Sequence, residues 1–198
     1  MPRVLDVLLL FSAIFIAFLL FYSLRPAKKS RFLLVGPSNS GKTAFFTQLQ
    51  YNKIYPTQTS QKPNIGLIKL SSNREVEVID IPGHPKLISE LDTYTVPTTP
   101  VLFFLDSSNF SKSISVVSDY LYQTLKRYRS ILVAANKSEL FTALPVEKIE
   151  SILQAEINEL AEREKEQEDV ELGEWTVIKG SVSNGDTKEW IDWVETRL

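Results

Sequence analysis

A three-layer alpha/beta sandwich, with a mostly parallel six-stranded sheet and helices on both faces, is the fold this sequence predicts, preceded by one N-terminal transmembrane helix. Apolar runs of strand length alternate with segments of helical period from Arg31 to the C-terminus, the order from which parallel sheets are built. Val101–Asp106 and Ile131–Ala135 are apolar without alternation, as strands covered on both faces should be. Between the first apolar run and the first helical segment lies a loop bracketed by glycines, GPSNSGKT at Gly36 to Thr43.

Composition bounds the rest. With 43% hydrophobic and 23% charged residues, the 198-residue chain holds material for one ordinary core. Its 22 Lys+Arg against 24 Asp+Glu give a formal net charge of -2, so no general electrostatic case exists for nucleic acid as a partner. The absence of cysteine excludes disulfides, thiolate metal sites and a cysteine nucleophile.

Val7 to Leu24 runs eighteen residues without a charge. At about 1.5 Å per residue it nearly crosses a hydrocarbon core of about 30 Å. A signal peptide would have a shorter apolar region and a small-residue cleavage site; here bulky residues run straight into Arg25-Pro26. Arg25, Lys28, Lys29 and Arg31 follow the span, so the C-terminal side is expected in the cytosol and residues 1–6 in the lumen. Residues 25–30 then form a basic linker to a domain covering 31–198.

Arg31 to Val35 is the first strand. The loop behind it fits G-x-x-x-x-G-K-[ST] at every required position, Gly36, Gly41, Lys42 and Thr43, with Pro37, Ser38, Asn39 and Ser40 between. Glycines let backbone N–H groups turn inward around a phosphate, the lysine offsets its charge, and the threonine hydroxyl ligates Mg2+. The helix opening at Thr43 points its dipole at the same place. This P-loop predicts a bound nucleoside triphosphate. The loop YPTQTSQKPN offers Thr57, Thr59 and Ser60 as hydroxyl ligands of Mg2+, with Thr59 preferred for its place before the turn into the next strand.

Ile65–Leu70 and Glu75–Ile79 read as strands joined by the turn SSN. The second ends in DIPGH, where Asp80 can hold Mg2+ through water, Gly83 can offer its N–H to a gamma-phosphate, and His84 is placed to orient an attacking water. After Val101–Asp106, Ser111 to Tyr128 carries a helical stripe. The strand Ile131–Ala135 then delivers Asn136, Lys137 and Glu139 to its carboxyl end, where open sheets bind ligands. A carboxylate there can accept from the N1 and 2-amino donors of guanine, which adenine lacks. Val146 to about Gln167 forms a long helix, Trp175–Ile178 the last strand, Gly180–Gly185 a turn placed over the base, and Thr187–Leu198 the last helix.

GPSNSGKT, TQTS, DIPGH, NKSE and GSVS, in this order, resemble the five nucleotide motifs of the small GTPase superfamily. With the preceding apolar span, the histidine of DIPGH and the phrase NKSELFTA, the chain resembles in particular the signal recognition particle receptor beta-subunit family, in its fungal forms. The resemblance covers nearly everything after Ser30. It implies an Arf/Sar-related GTPase of the endoplasmic reticulum membrane that anchors the receptor alpha subunit when loaded with GTP. Carried over, it places Thr57, Gln58, Thr59 and Ser60 in switch I, Asp80, Gly83 and His84 in switch II, Asn136, Lys137 and Glu139 on guanine, and Ser181, Val182 and Ser183 in support of the base. Glu139 stands where the wider superfamily has aspartate, and GSVS lacks the usual S-A-K ending. A GTPase with substantial turnover of its own and a trafficking GTPase of the Arf and Sar kind are the competing readings. No arginine finger is supplied within the motifs, and the permanent span argues against cycling on and off membranes.

Overall fold

The computed structural model describes residues 14–16, 18, 30–56, 61–84, 96–165 and 171–198. Of the expected transmembrane segment only residues 14–16 and 18 are included, helical and exposed; the remainder, with residues 25–29 of the linker, lies outside the described residues. No helix among the described residues is long and apolar enough to cross a membrane.

Six strands form one sheet: β1 (Arg31–Val35), β2 (Asn64–Lys69), β3 (Glu75–Asp80), β4 (Val101–Asp106), β5 (Ser130–Asn136) and β6 (Glu174–Lys179), in the spatial order β2-β3-β1-β4-β5-β6. All pairings are parallel except β2 with β3. That antiparallel pair is a hairpin turned at Asn73, whose φ of 60° suits a residue tolerant of the left-handed region. Four α-helices are described: α1 (Lys42–Tyr51), α2 (Ile114–Leu125), α3 (Val146–Lys165) and α4 (Lys188–Glu195).

The strands at the centre are apolar throughout because both their faces are covered. On one face Leu33, Ile79, Val101, Phe103, Ile131 and Val133 meet Val117 and Leu121 of α2 and Ile149, Leu153 and Ile157 of α3. On the other, Phe32, Leu34, Val78, Leu102, Phe104 and Leu132 meet Phe45 of α1 and Trp190 and Val194 of α4. The indole of Trp190 is fully buried, lies edge-on to Phe45 and Phe104, and donates to Ile178 O at 3.1 Å.

Two expected helices are shorter than their apolar stripes. Before α2, Lys112 N donates to Asn109 O and Ser113 N to Phe110 O, the tighter i→i+3 pattern, so Phe110–Lys112 is a 3-10 turn and α2 begins at Ile114. At its far end the ladder tightens, Arg127 N donating to Thr124 O while the Arg127 guanidinium donates to Gln123 O at 2.8 Å, and beyond it Leu125 O accepts from Gly173 N of the segment before β6. The last helix ends at Glu195, where Arg197 leaves to donate to Ser130 Oγ at 2.8 Å. Conversely β5 runs one residue past Ala135, because Asn136 pairs in register with Asp106.

Candidate functional site

Five parallel strands bring their carboxyl ends to one edge of the sheet, and the motif residues collect there. The loop between β1 and α1 turns through three left-handed residues, Gly36 (φ 131°), Asn39 (φ 64°) and Gly41 (φ 99°). Side chains are excluded at both glycines: a Cβ on Gly36 would lie 2.2 Å from Phe104 O, and one on Gly41 2.1 Å from Asn136 Nδ2. Ser40 Oγ donates to Pro37 O at 2.8 Å. Lys42 is 5% exposed, and its ammonium donates to Gly36 O and Pro37 O, each at 2.8 Å. Burial pushes its pKa down to about 8 against the pull of Asp80.

Asp80, at the end of β3, is fully buried. Its Oδ2 accepts from Thr43 Oγ1 at 2.8 Å and Asn64 Nδ2 at 3.0 Å, while its Oδ1 has no hydrogen-bond partner among the described residues. Burial raises the pKa of Asp80, and the bonds from Asn64 and Thr43 and the charge of Lys42 pull it back. A buried carboxylate with one oxygen unsatisfied beside a threonine hydroxyl is a pair of oxygen donors of the kind that takes Mg2+. Gly83 is buried against the phosphate loop, where a Cβ would lie 2.5 Å from Ser38 N and 2.6 Å from Pro37 C. His84 follows on the surface. Thr57, Gln58, Thr59 and Ser60 lie outside the described residues.

The loops after β5 and β6 join this group through one side chain. Asn136 Nδ2 donates to Ser40 O at 2.9 Å, and its Oδ1 accepts from Val182 N at 3.0 Å, so the phosphate loop and the loop after β6 are held by the same amide. Lys137 has φ 63°, and its ammonium pairs with Asp106. Glu139 is exposed in the turn closed by Leu140 N and Lys137 O. Ser181 is buried and accepts from Asn184 N at 3.0 Å, fixing its own turn, whereas Ser183 is exposed. Asn64 and Asp106 were not anticipated. Asn64 reaches Asp80 only through the hairpin register that places the two residues opposite each other, and the clue to Asp106 was its place as the one charge at the end of an apolar strand.

The sequence profile described as "Signal recognition particle receptor beta subunit" matches residues 27–188. The chain is 29% identical to the signal recognition particle receptor subunit beta of Saccharomyces cerevisiae over 205 residues, spanning 84% of this chain and 83% of the relative. It is 32% identical to that of Mus musculus over 145 residues, 69% of this chain and 54% of the relative. Against the solved structure of the mammalian SRP receptor the TM-score is 0.75 at 26% identity, covering 85% of this chain and 100% of the other. The SRb-GTP/SRX complex of the receptor from Chaetomium thermophilum gives 0.70 at 25%, covering 87% and 100%. With a P-loop, a buried aspartate on its threonine and an asparagine tying that loop to the loop after β6, all inside the matched residues, the chain belongs to the signal recognition particle receptor beta subunit family.

Proposed function

We propose that this chain is a membrane-anchored GTP-binding switch that holds the alpha subunit of the signal recognition particle receptor at the endoplasmic reticulum membrane, with residues 7–24 as the span, 25–30 as a basic linker and 31–198 as the cytosolic GTP-binding domain. The observation that carries it is the convergence of Lys42, Thr43 and Asp80 at one end of the site and Asn136 and Lys137 at the other, bridged by the Asn136 amide. The Chaetomium relative is recorded as a GTP complex with SRX, which supports both the nucleotide and a partner-bound state.

In this reading Gly36 to Thr43 wrap the phosphates, and Lys42 gives up its two loop carbonyls to phosphate oxygens. Thr43 would ligate Mg2+, Asp80, whose Oδ1 has no partner among the described residues, would hold it through water, and Thr59 would join from switch I. Mg2+ held there would supply charge neutralisation for the phosphates. Glu139 accepts from guanine, Asn136 and Lys137 align it, and Ser181, Val182 and Ser183 close over it. Gly83 offers its N–H toward the gamma-phosphate, and His84 orients water, with hydrolysis slow or stimulated by a partner. Two segments, residues 55–63 and 82–94, form the surface that the partner reads in the triphosphate state.

Competition for the purified protein between GTP and ATP tests the nucleotide: GTP should win, and equal competition refutes the guanine assignment. Loading with a GTP analogue or GDP and recovering the alpha subunit from cytosol tests the switch. Recovery only with the analogue supports it; equal recovery in both states defeats it. Release of the full-length protein from membranes by alkaline carbonate would refute the span.

A further inference from the structure

At the ends of β4 and β5, the segment Asp106–Ser107–Ser108 grips Asn136–Lys137 by contacts that none of the nucleotide motifs contains. Asp106 and Asn136 are register partners. Ser107 donates to Asn136 O from both its N–H and its hydroxyl. The carboxylate of Asp106 divides its oxygens: Oδ1 accepts from Ser108 N at 3.0 Å and Ser108 Oγ at 2.6 Å, and Oδ2 takes the Lys137 ammonium. Both its oxygens are therefore aimed before Lys137 arrives. Burial would raise the pKa of Asp106, but the bonds from Lys137 and Ser108 outweigh it and hold the carboxyl below its ordinary value.

Lys137 needs such a hold. It is an L-residue in the left-handed region, a conformation that persists only where the surroundings impose it, and its side chain is 30% exposed, free to swing into water if released. The residue before it, Asn136, links the phosphate loop to the loop after β6 through its side-chain amide. A partly exposed ion pair contributes little to folding as such, so its place beneath the candidate base site is what gives it consequence.

We propose that Asp106 is a positioning residue for the nucleotide: by fixing the ammonium of Lys137 it keeps that side chain and the Asn136 clip in the bound arrangement, and so sets how long guanine nucleotides stay. This rests on the guanine-nucleotide reading above. The test uses the full-length chain and a fluorescent GTP and GDP. Asp106→Asn, which keeps the shape and removes the charge, should speed dissociation of both nucleotides roughly tenfold, the order expected for one charge-assisted hydrogen bond. The melting midpoint of the nucleotide-free protein should stay where it is. Lys137→Met should also speed dissociation, and adding Asp106→Asn to it should add nothing further. Ser108→Ala, which frees one side of the carboxylate, should give a smaller acceleration, and it keeps the question answerable if Asp106→Asn does not fold. Unchanged dissociation in Asp106→Asn, or the same factor in the Lys137→Met background, overturns the proposal. Failure of the wild type to bind either nucleotide overturns instead the reading beneath it, and this inference with it.

Discussion

Lys42 is an ammonium held in its loop at a cost. It is 5% exposed, satisfied only by carbonyls of its own loop, and its pKa is pushed down to about 8 by burial. Lys42→Met should therefore abolish nucleotide binding, because Lys42 carries the only charged side chain of the loop, yet leave the nucleotide-free protein at least as resistant to heat as the wild type. Binding by titration and melting by scanning calorimetry read the two effects separately, and retained binding would count against the site. Gly83 makes a different demand. A methyl there would press on Ser38 N and Pro37 C, so Gly83→Ala should displace either the phosphate loop or the chain after β3 and weaken GTP binding at least tenfold by titration, a loss of about 1.4 kcal/mol or more. Gly36, Gly41, Lys42 and Thr43 were legible in the sequence because each is required by a local condition, a left-handed turn or a charge. Asp106 and Asn64 were not, since each acts on a residue reached through strand pairing, thirty or sixteen positions away for Asn136 and Asp80 respectively. Glu139 was named from its place after β5 and Ser183 from the family resemblance, and both stand exposed, where a ligand rather than the fold would give them partners.

Strands were read well and helix ends less well, for a physical reason. The central strands carry their signal in every residue, because both faces are covered. A helix stripe shows which side is buried and not where the ladder of hydrogen bonds is cut: at the end of α2 the Arg127 guanidinium takes Gln123 O, and Gly173, nearly fifty residues on, takes the carbonyl of Leu125. The short α4 depends on its aromatic contacts more than on its own turns. Trp190 packs on Phe45 of the phosphate-loop helix and on Phe104 of β4, so Trp190→Ala should cost about 3–5 kcal/mol and lower the melting temperature by on the order of 10 °C. Trp190→Phe, which keeps a ring and leaves Ile178 O without its indole donor, should fall between the two. A melting curve for Trp190→Ala that matches the wild type would show that α4 does not clamp the sheet.

For the molecule as a whole, the chain enters the sheet at Ser30 and the candidate site lies at the other end of the strands, a distance of about 17 Å for a five-residue strand. Removing residues 1–29 should accordingly change GTP affinity by less than about twofold, the limit for sites that share no partners; a larger loss in a titration would mean that the N-terminal segment reaches the nucleotide. The position of β1 matters in a second way. It is not at an edge: β3 pairs with it on one side and β4 on the other, through rungs such as Glu77 N to Ser30 O at 3.0 Å, Leu33 N to Pro100 O at 3.1 Å and Ile81 N to Leu34 O at 3.0 Å. A pull on the chain ahead of Ser30 runs along the strand and strains those rungs together, in shear, whereas a pull on β2 or β6 could unzip an edge one rung at a time. Any force arriving through the segment ahead of Ser30 is thus taken up by a strand held on both sides and not by an edge.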